Sequence, residues 1–372
     1  MRVLFWSGSF GPHIGGVEVL AAKLLPALRE RGYEFAVLSS QNNTEFSAEG
    51  QFKGIPIYRF PFWKARNNAA QIMQIRQQII NLKRTFVPDL IHLNAIDTST
   101  FFHLITAPAY AAPLLVTLHG EWPSQVNAAV AQTLRSADWV TGCSAAILRR
   151  GWQLVPELIS RSSVIPNAIE EPSLLPGPLP VRAPQLLCLG RLVFVKGFDV
   201  ALTAFASLKD AFPEARLIIA GDGAARADLE RQTVKLGLTD VVKFIGWVAP
   251  DQVPALMNAV TIVIVPSRGI EGFGLVALEA AYMARPVVAS DVGGIPEVVV
   301  HKQTGLLVEK ENPEALAEAI TFLLKQPWTA ADLGRAARRR AQEIFNFVRY
   351  VDAYDVLYQK LFSREGRAGR TA

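Results

Sequence analysis

The chain has 372 residues, half of them hydrophobic and 19% charged. That is enough for two domains with separate cores, and unlike a disordered segment. The net charge of +5 suits anionic ligands or an anionic surface but is too mild to indicate nucleic acid, which is not expected as a partner. Cys143 and Cys188 are the only cysteines and lie in apolar strand-like runs, so they read as buried free thiols in a reducing, cytoplasmic setting.

Met1–Gly8 has one basic residue and a short apolar run that ends in a glycine loop. It reads as a first parallel strand and not as a secretory signal. The loop Ser9–Glu18, with Gly15 and Gly16, leads into an apolar-periodic helix through Leu20, Leu24 and Leu28, which Pro26 should kink. The loop is not G-x-G-x-x-G, and no acidic residue closes the second strand, so a nicotinamide cofactor is not indicated. Further strands are expected near Phe35–Ser39, Leu90–Leu93, Leu114–Leu118, Trp139–Cys143 and Ser163–Ile165. The second half has them near Gln185–Leu189, Ala215–Ala220, Val242–Ile245, Val260–Val265, Pro286–Ala289 and Gly305–Val308. Continuously apolar runs alternating with helices of period 3.6 are the pattern of doubly wound α/β domains, whose strands are buried on both faces.

The longest apolar region, Phe101 to Leu118, is interrupted by His103, Pro108 and Pro113. It reads as a helix and a strand, not as a membrane span. Five prolines fall within residues 171–184 and bar both helix and central strand, so a linker and hinge are expected there, between domains 1–170 and 185–346. Residues 347–372 add an amphipathic terminal helix with its tail. From Gly50 to Pro88 there is no acid, but seven cations: Lys53, Arg59, Lys64, Arg66, Arg76, Lys83 and Arg84. Interleaved with Phe60, Phe62 and Trp63, they read as a patch for an anionic membrane or a phosphate-bearing acceptor, or equally as a solvated helix face.

In doubly wound folds ligands bind at the carboxyl ends of strands. His119 follows one strand end, and Arg191 and Lys196 follow another, just before a helix, as a clamp for a diphosphate. The most informative segment is Pro266–Glu279. It reads as a strand end, a turn with Gly272 and Gly274, and a helix whose N-terminus suits a phosphate. Glu271 and Glu279 would stand roughly 12 Å apart on a continuous helix, too far for the paired carboxylates of a glycosidase. They suit the two polyol ends of one extended ligand such as a nucleotide-sugar. No D-x-D, His/Cys cluster or H-E-x-x-H is present, so no metal and no cofactor is expected.

The Pro266–Glu279 segment resembles the Glu-x7-Glu signature of retaining GT-B glycosyltransferases of family 4. The resemblance covers nearly the whole chain and is strongest from Gly190 to Pro296. It implies an α/β fold of two Rossmann-like domains facing a central crevice, the C-terminal helix crossing back onto the first. By it, Glu271 touches the hydroxyls of the donor sugar and Glu279 holds the ribose, with Gly272, Phe273, Gly274, Leu275 and Val276 lining the donor. Gly190–Gly197 is similar to the family's G-R-L-x-x-x-K-G segment, in which Arg191 and Lys196 neutralise the leaving diphosphate. Gly15 and Gly16 match a G-G-x-E loop that approaches the donor phosphate, and His119 a histidine that bonds the donor sugar. Main-chain groups near Gly246 and Val248 would read the base. Gly221–Asp222–Gly223 matches as a turn. Pro166–Glu170 resembles P-N-G-[VI]-D but departs at Ala168 and Glu170.

The resemblance implies metal-independent, retaining transfer from a nucleoside-diphosphate sugar to a hydroxyl acceptor on a glycan, lipid or small molecule. A lipid-linked or phosphate-bearing acceptor is equally compatible with it, and peripheral attachment to the inner membrane face is left open. A sugar phosphorylase on the same scaffold, a non-catalytic nucleotide-sugar-binding subunit and a periplasmic-type binding module are the rival readings.

Overall fold

The computed structural model describes residues 1–372 except 12–14, 42–46, 66, 95, 98, 121, 123–125, 270 and 369–372. Arg66, part of the Ser9–Glu18 loop and Ile270 of the Pro266–Glu279 segment therefore lie outside the described residues. The chain forms two compact units, Met1–Asn167 with Val348–Ala372, and Ala168–Phe347.

Among the described residues the first unit has eight strands: β1 (Arg2–Ser7), β2 (Glu34–Ser40), β3 (Glu49–Phe52), β4 (Ile55–Phe60), β5 (Leu90–Leu93), β6 (Leu114–Leu118), β7 (Trp139–Gly142) and β8 (Ser162–Val164). Their order is β3-β4-β2-β1-β5-β6-β7-β8, parallel except for β3 against β4. Five consecutive buried residues in β1 show why the run is apolar throughout: helices cover both faces. The β3–β4 hairpin falls where the sequence suggested only a basic stretch. Its turn places Lys53 and Gly54 at φ 47° and 76°, the geometry of a two-residue hairpin loop. Pro26 lies inside the helix Gly16–Glu30 without ending it.

The second unit holds β9 (Gln185–Leu189), β10 (Arg216–Ala220), β11 (Val242–Gly246), β12 (Ile262–Val265), β13 (Val287–Ser290) and β14 (Leu306–Val308), in the order β11-β10-β9-β12-β13-β14. Leu186, Cys188, Ile262 and Ile264 meet Phe198 and Phe205 in its core. The chain order reverses between β9 and β12. The loops after these two strands leave in opposite directions, which opens a ligand crevice at their carboxyl ends.

The proline-rich segment 171–184 is not free to act as a hinge. It belongs to the second unit, held by the buried Arg285, which donates to the carbonyls of Gly177 at 2.7 Å and Pro178 at 3.3 Å. Asn258 Oδ1 accepts from the Gly177 amide at 2.7 Å. Burial lowers Arg285 to about 10; its two terminal nitrogens are paired with oxygens, while its Nε is buried without a partner among the described residues. The chain passes between the units at 167/168 and 347/348 instead.

From Val348 the terminal helix Phe347–Ala368 belongs to the first unit. Its Tyr350, Tyr354 and Tyr358 are buried at helical spacing. The Tyr358 hydroxyl lies 2.6 Å from His92 Nδ1, His92 Nε2 lies 2.8 Å from the Thr117 hydroxyl, and Thr117 bonds Thr141 at 2.7 Å. This satisfied polar row ties the helix across β5, β6 and β7. Burial lowers His92 to about 3, so its imidazole stays neutral. Cys143 and Cys188 are free and buried, and no helix among the described residues is long and apolar enough to cross a membrane.

Candidate active site

Lys196 follows β9 and Glu271 follows β12, the adjacent strands of the switch point. The structure brings them together. Lys196 Nζ lies 2.9 and 2.7 Å from the two oxygens of Glu271, and the Ser267 hydroxyl donates to one of them at 3.1 Å. About a fifth of each side chain stays exposed, 22% and 20%, so the pair is shielded yet open to a ligand. An ammonium carries three N–H donors; two face Glu271 and one remains for an anion.

Three features hold this pair. Arg268 reaches both carboxylate oxygens of Asp199 on the following helix, bonds Glu311 at 3.1 Å and stacks 4.3 Å from the Phe194 ring. Its amide donates to the Val195 carbonyl at 2.9 Å, which fixes the Lys196 loop against the Glu271 loop. On the other side the Gly294 amide donates to the Glu271 carbonyl at 2.8 Å. Gly293, at φ 56°, packs so closely there that a Cβ would run into the same carbonyl. Arg268, Ser267 and the Gly293–Gly294 pair were not found from the sequence. The glycine pair directly after a strand was a usable signal, whereas the Arg268–Asp199 pairing depends on the fold.

The helix begins at Leu275, with Gly274 as its cap at φ 99°. Glu271 therefore lies before the helix, and the axial spacing assumed from sequence does not apply to it. It does not cap the helix either, since its carboxylate is turned to Lys196. Leu275 and Val276 form the first turn, whose amides have no intrahelical partner. Gly272 sits half-buried between them and Glu271. Phe273 departs from expectation: its ring is 3% exposed and packs edge-on against Phe345 at 5.4 Å. Only its main chain is left to line a ligand. Glu279 is half-buried on the helix, and burial pushes its carboxyl up to about 7.

Arg191 is exposed just beyond β9, with no hydrogen bond from its guanidinium to a described residue. Gly246 ends β11 at φ 75° and accepts from the Gly221 amide at 2.6 Å; Val248 is half-buried beside the exposed Trp247. Asp222 turns back on its own loop, accepting from the Gly223 amide at 2.7 Å, as a turn residue should.

In the first unit Gly15 caps the helix Gly16–Glu30 in extended conformation. The Glu18 carboxylate lies against Gly15, so this helix start already has an acidic neighbour. His119 follows β6. Its Nε2 lies 3.1 Å from Asn94 Oδ1, and its Nδ1 is buried without a partner among the described residues. Burial lowers it to about 4, so the ring is neutral near pH 7. Asn167 is buried, its Oδ1 also unpartnered among the described residues.

A family model described as "Glycosyl transferases group 1" matches residues 176–340, and one described as "Glycosyltransferase Family 4" matches residues 14–171. Between them they take in nearly the whole chain. It belongs to glycosyltransferase family 4. Among curated relatives of this glycosyltransferase, the glycogen synthase of Mycobacterium tuberculosis is 28% identical over 93% of this chain and 92% of the relative. A GDP-mannose-dependent alpha-(1-6)-phosphatidylinositol monomannoside mannosyltransferase of the same organism is 36% identical over 42% of each. Solved structures share the GT-B fold. Sucrose-phosphate synthase from Thermosynechococcus elongatus superposes with a TM-score of 0.86 at 23% identity, covering 98% of this chain and 99% of that one. Anabaena HepE in complex with UDP and glucose gives 0.79 at 24% identity, covering 96% and 99%. The family match and the named relatives make this chain a hexosyltransferase.

Proposed function

We propose that this glycosyltransferase moves a hexose from a nucleoside-diphosphate sugar to a hydroxyl acceptor, with retention at the anomeric carbon and without metal or cofactor. The observation that carries the reading is the Lys196–Glu271 pair on the two switch-point strands, beside a helix N-terminus. The free N–H of Lys196, the guanidinium of Arg191 and the amides of Leu275 and Val276 stabilise the departing diphosphate as its bond to the sugar lengthens. Glu271 orders the sugar hydroxyls, Glu279 accepts from the ribose, and neutral His119 offers a hydrogen bond to the sugar without adding charge. Both oxygens of Glu271 are engaged by Lys196, which suits a hydroxyl-ordering group better than a free nucleophile. In the proposed step the C1–O bond to phosphate breaks and the acceptor oxygen bonds C1 on the same face. The acceptor proton passes to the leaving phosphate oxygen.

Among the described residues no group of three or more His, Cys, Asp or Glu side chains is placed to hold a metal, and the fixed cations supply equivalent charge. UDP-sugars are the first donors to test, because the structures of Anabaena HepE contain UDP, UDP-glucose, or UDP with glucose. GDP-mannose comes second, given the mannosyltransferase relative. The test is turnover of UDP-glucose and GDP-mannose with an oligosaccharide acceptor panel, followed by release of the nucleoside diphosphate and by the anomeric NMR signal of the product. An α-linked product from an α-linked donor is expected. A β-linked product would overturn retention, and sugar 1-phosphate formed from added inorganic phosphate would make the protein a phosphorylase.

A further inference from the structure

The outer part of the first sheet carries a second, separate feature. The helix Ala69–Phe86 walls one side of it and β4 floors it. One cavity there, of about 530 Å³, includes Gln41, Tyr58, Gln71, Gln74 and Gln78 in its lining. Another, of about 630 Å³, includes Glu34, Pro56, Tyr58 and Phe86. The two share Tyr58, Leu82 and Thr85 and so form one trough. It runs from the carboxyl ends of β2 and β4, at Gln41 and Phe60, to their starts at Glu34 and Ile55. Its upper end lies at the carboxyl ends of β2 and β4, on the same edge of the sheet as His119, which follows β6 three strands along from β2.

The helical wall is built from Gln71, Gln74, Gln78, Asn81 and Thr85. Steps of three and four residues place them on one face, over roughly 21 Å of helix. A merely solvated helix face normally carries Lys and Glu; this one carries neither at any of the five positions. The side-chain amides of Gln71, Gln74 and Gln78 make no hydrogen bond to another described residue, so each keeps two donors and an acceptor for a ligand. The charged lining residues are Arg29, Arg59, Glu34 and Glu49, two of each sign. Arg59 is already committed, donating to the carbonyls of Gly11 at 2.8 Å and Ser47 at 3.3 Å. The cations that suggested an anionic partner are likewise reduced. Lys83 is buried and bonds the Thr106 hydroxyl at 3.0 Å, and Arg76 bonds the Ile105 carbonyl at 3.1 Å.

Neutral amides in register, facing the half-buried Tyr58, match a ligand rich in hydroxyls with apolar ring faces and no net charge. We infer that this trough binds a neutral oligosaccharide and carries the body of a glycan acceptor to the sheet edge. The second half of that statement rests on the hydroxyl-acceptor reading above.

Calorimetry on the full chain without donor, with maltoheptaose and an α-(1→6)-mannotetraose as probes, tests it. At least one probe should bind in the millimolar range or tighter. Gln74→Ala with Gln78→Ala should weaken binding about tenfold, the loss expected from two amide contacts, and Gln78→Trp should block the trough outright. UDP affinity and melting temperature, read on the same samples, should not change. The inference is overturned if neither probe binds, if the variants bind as the wild type does, or if only heparin oligosaccharide or anionic vesicles bind. Binding of a neutral probe that depends on Gln74 and Gln78 upholds the trough even where no sugar is transferred to it; in that case the acceptor reading alone falls.

Discussion

The carboxyl edges of the two sheets are built differently. In the second unit, charge is concentrated and fixed: Lys196 against Glu271, Arg268 against Asp199 and Glu311, with the Gly293–Gly294 turn pressed onto the Glu271 main chain. In the first unit, the corresponding edge offers a neutral His119 on Asn94 and a helix start beside the acidic Glu18. The difference separates two tasks. A leaving diphosphate needs cations whose positions do not depend on the ligand's arrival, and among the described residues the second edge holds Lys196 and Arg268 in that way. On the proposed reading, a neutral polyol would meet the neutral donors and acceptors of the first unit.

Removing cations from the second edge should have the largest effect. Lys196→Ala should lower kcat at least ~10²-fold in steady-state assays, because one preorganised donor at developing charge is worth ~2.7–4 kcal/mol. Arg191→Ala should act in the same direction. Near-wild-type turnover in a folded Lys196→Ala protein would erase the contrast between the edges.

A smaller loss is expected on the neutral edge. His119→Ala should reduce kcat by about tenfold, the value of a single neutral hydrogen bond. Since burial lowers His119 to about 4, the rate should show no inflection from this ring at neutral pH. A limb near its ordinary value that disappears in His119→Ala would mean that the ring is protonated and that the first edge carries charge after all.

Glu279 sharpens the comparison through stability. Burial raises its carboxyl from 4.5 to about 7, so the folded state holds a proton that the unfolded chain releases. Its stabilising contribution is full below the unfolded value and is lost as pH rises through about 7. Glu279→Gln should therefore leave the melting temperature unchanged at about pH 4 and raise it by ~2–4 °C at about pH 8, the shift that one kcal/mol gives in a domain of this size. Nucleotide affinity should fall in the same variant. A gain in stability without that loss would make Glu279 structural only.

The smallest expected effect is none. EDTA should leave the rate unchanged, because the proposed charge stabilisation comes from side chains and a helix start. Activity that vanishes and returns only with Mg²⁺ or Mn²⁺ would transfer the role of Lys196 and Arg191 to a metal.

What the sequence made legible on this edge was the placement of glycines and charged residues in loops directly after apolar strands, and the resemblance to the family's motifs marked them for a ligand. Arg191, Lys196, Glu271 and Gly274 were read that way. That the Phe273 side chain turns inward onto Phe345 was not legible, because a residue next to a ligand loop can line it with main chain alone. The β3–β4 hairpin escaped because an edge strand buries little: β3 alternates exposed and half-buried residues and leaves no hydrophobic signature. Lys83 looked like a surface cation, and only the fold shows it buried against Thr106 and over the Trp6 ring. The proline-rich segment looked like a hinge because prolines report only what a segment cannot form. Its fastening by Arg285 comes from a residue more than a hundred positions away from Gly177.

The measurement that bears most directly on the central claim is calorimetry of UDP and UDP-glucose on the wild type, Lys196→Ala and Glu271→Ala. The account predicts that Lys196→Ala weakens both ligands, since both carry the diphosphate. Glu271→Ala should weaken UDP-glucose alone and leave UDP bound as tightly or more tightly, because the Lys196 ammonium is released from its carboxylate partner. Equal losses of UDP and UDP-glucose in Glu271→Ala, or wild-type affinities in Lys196→Ala, would contradict it.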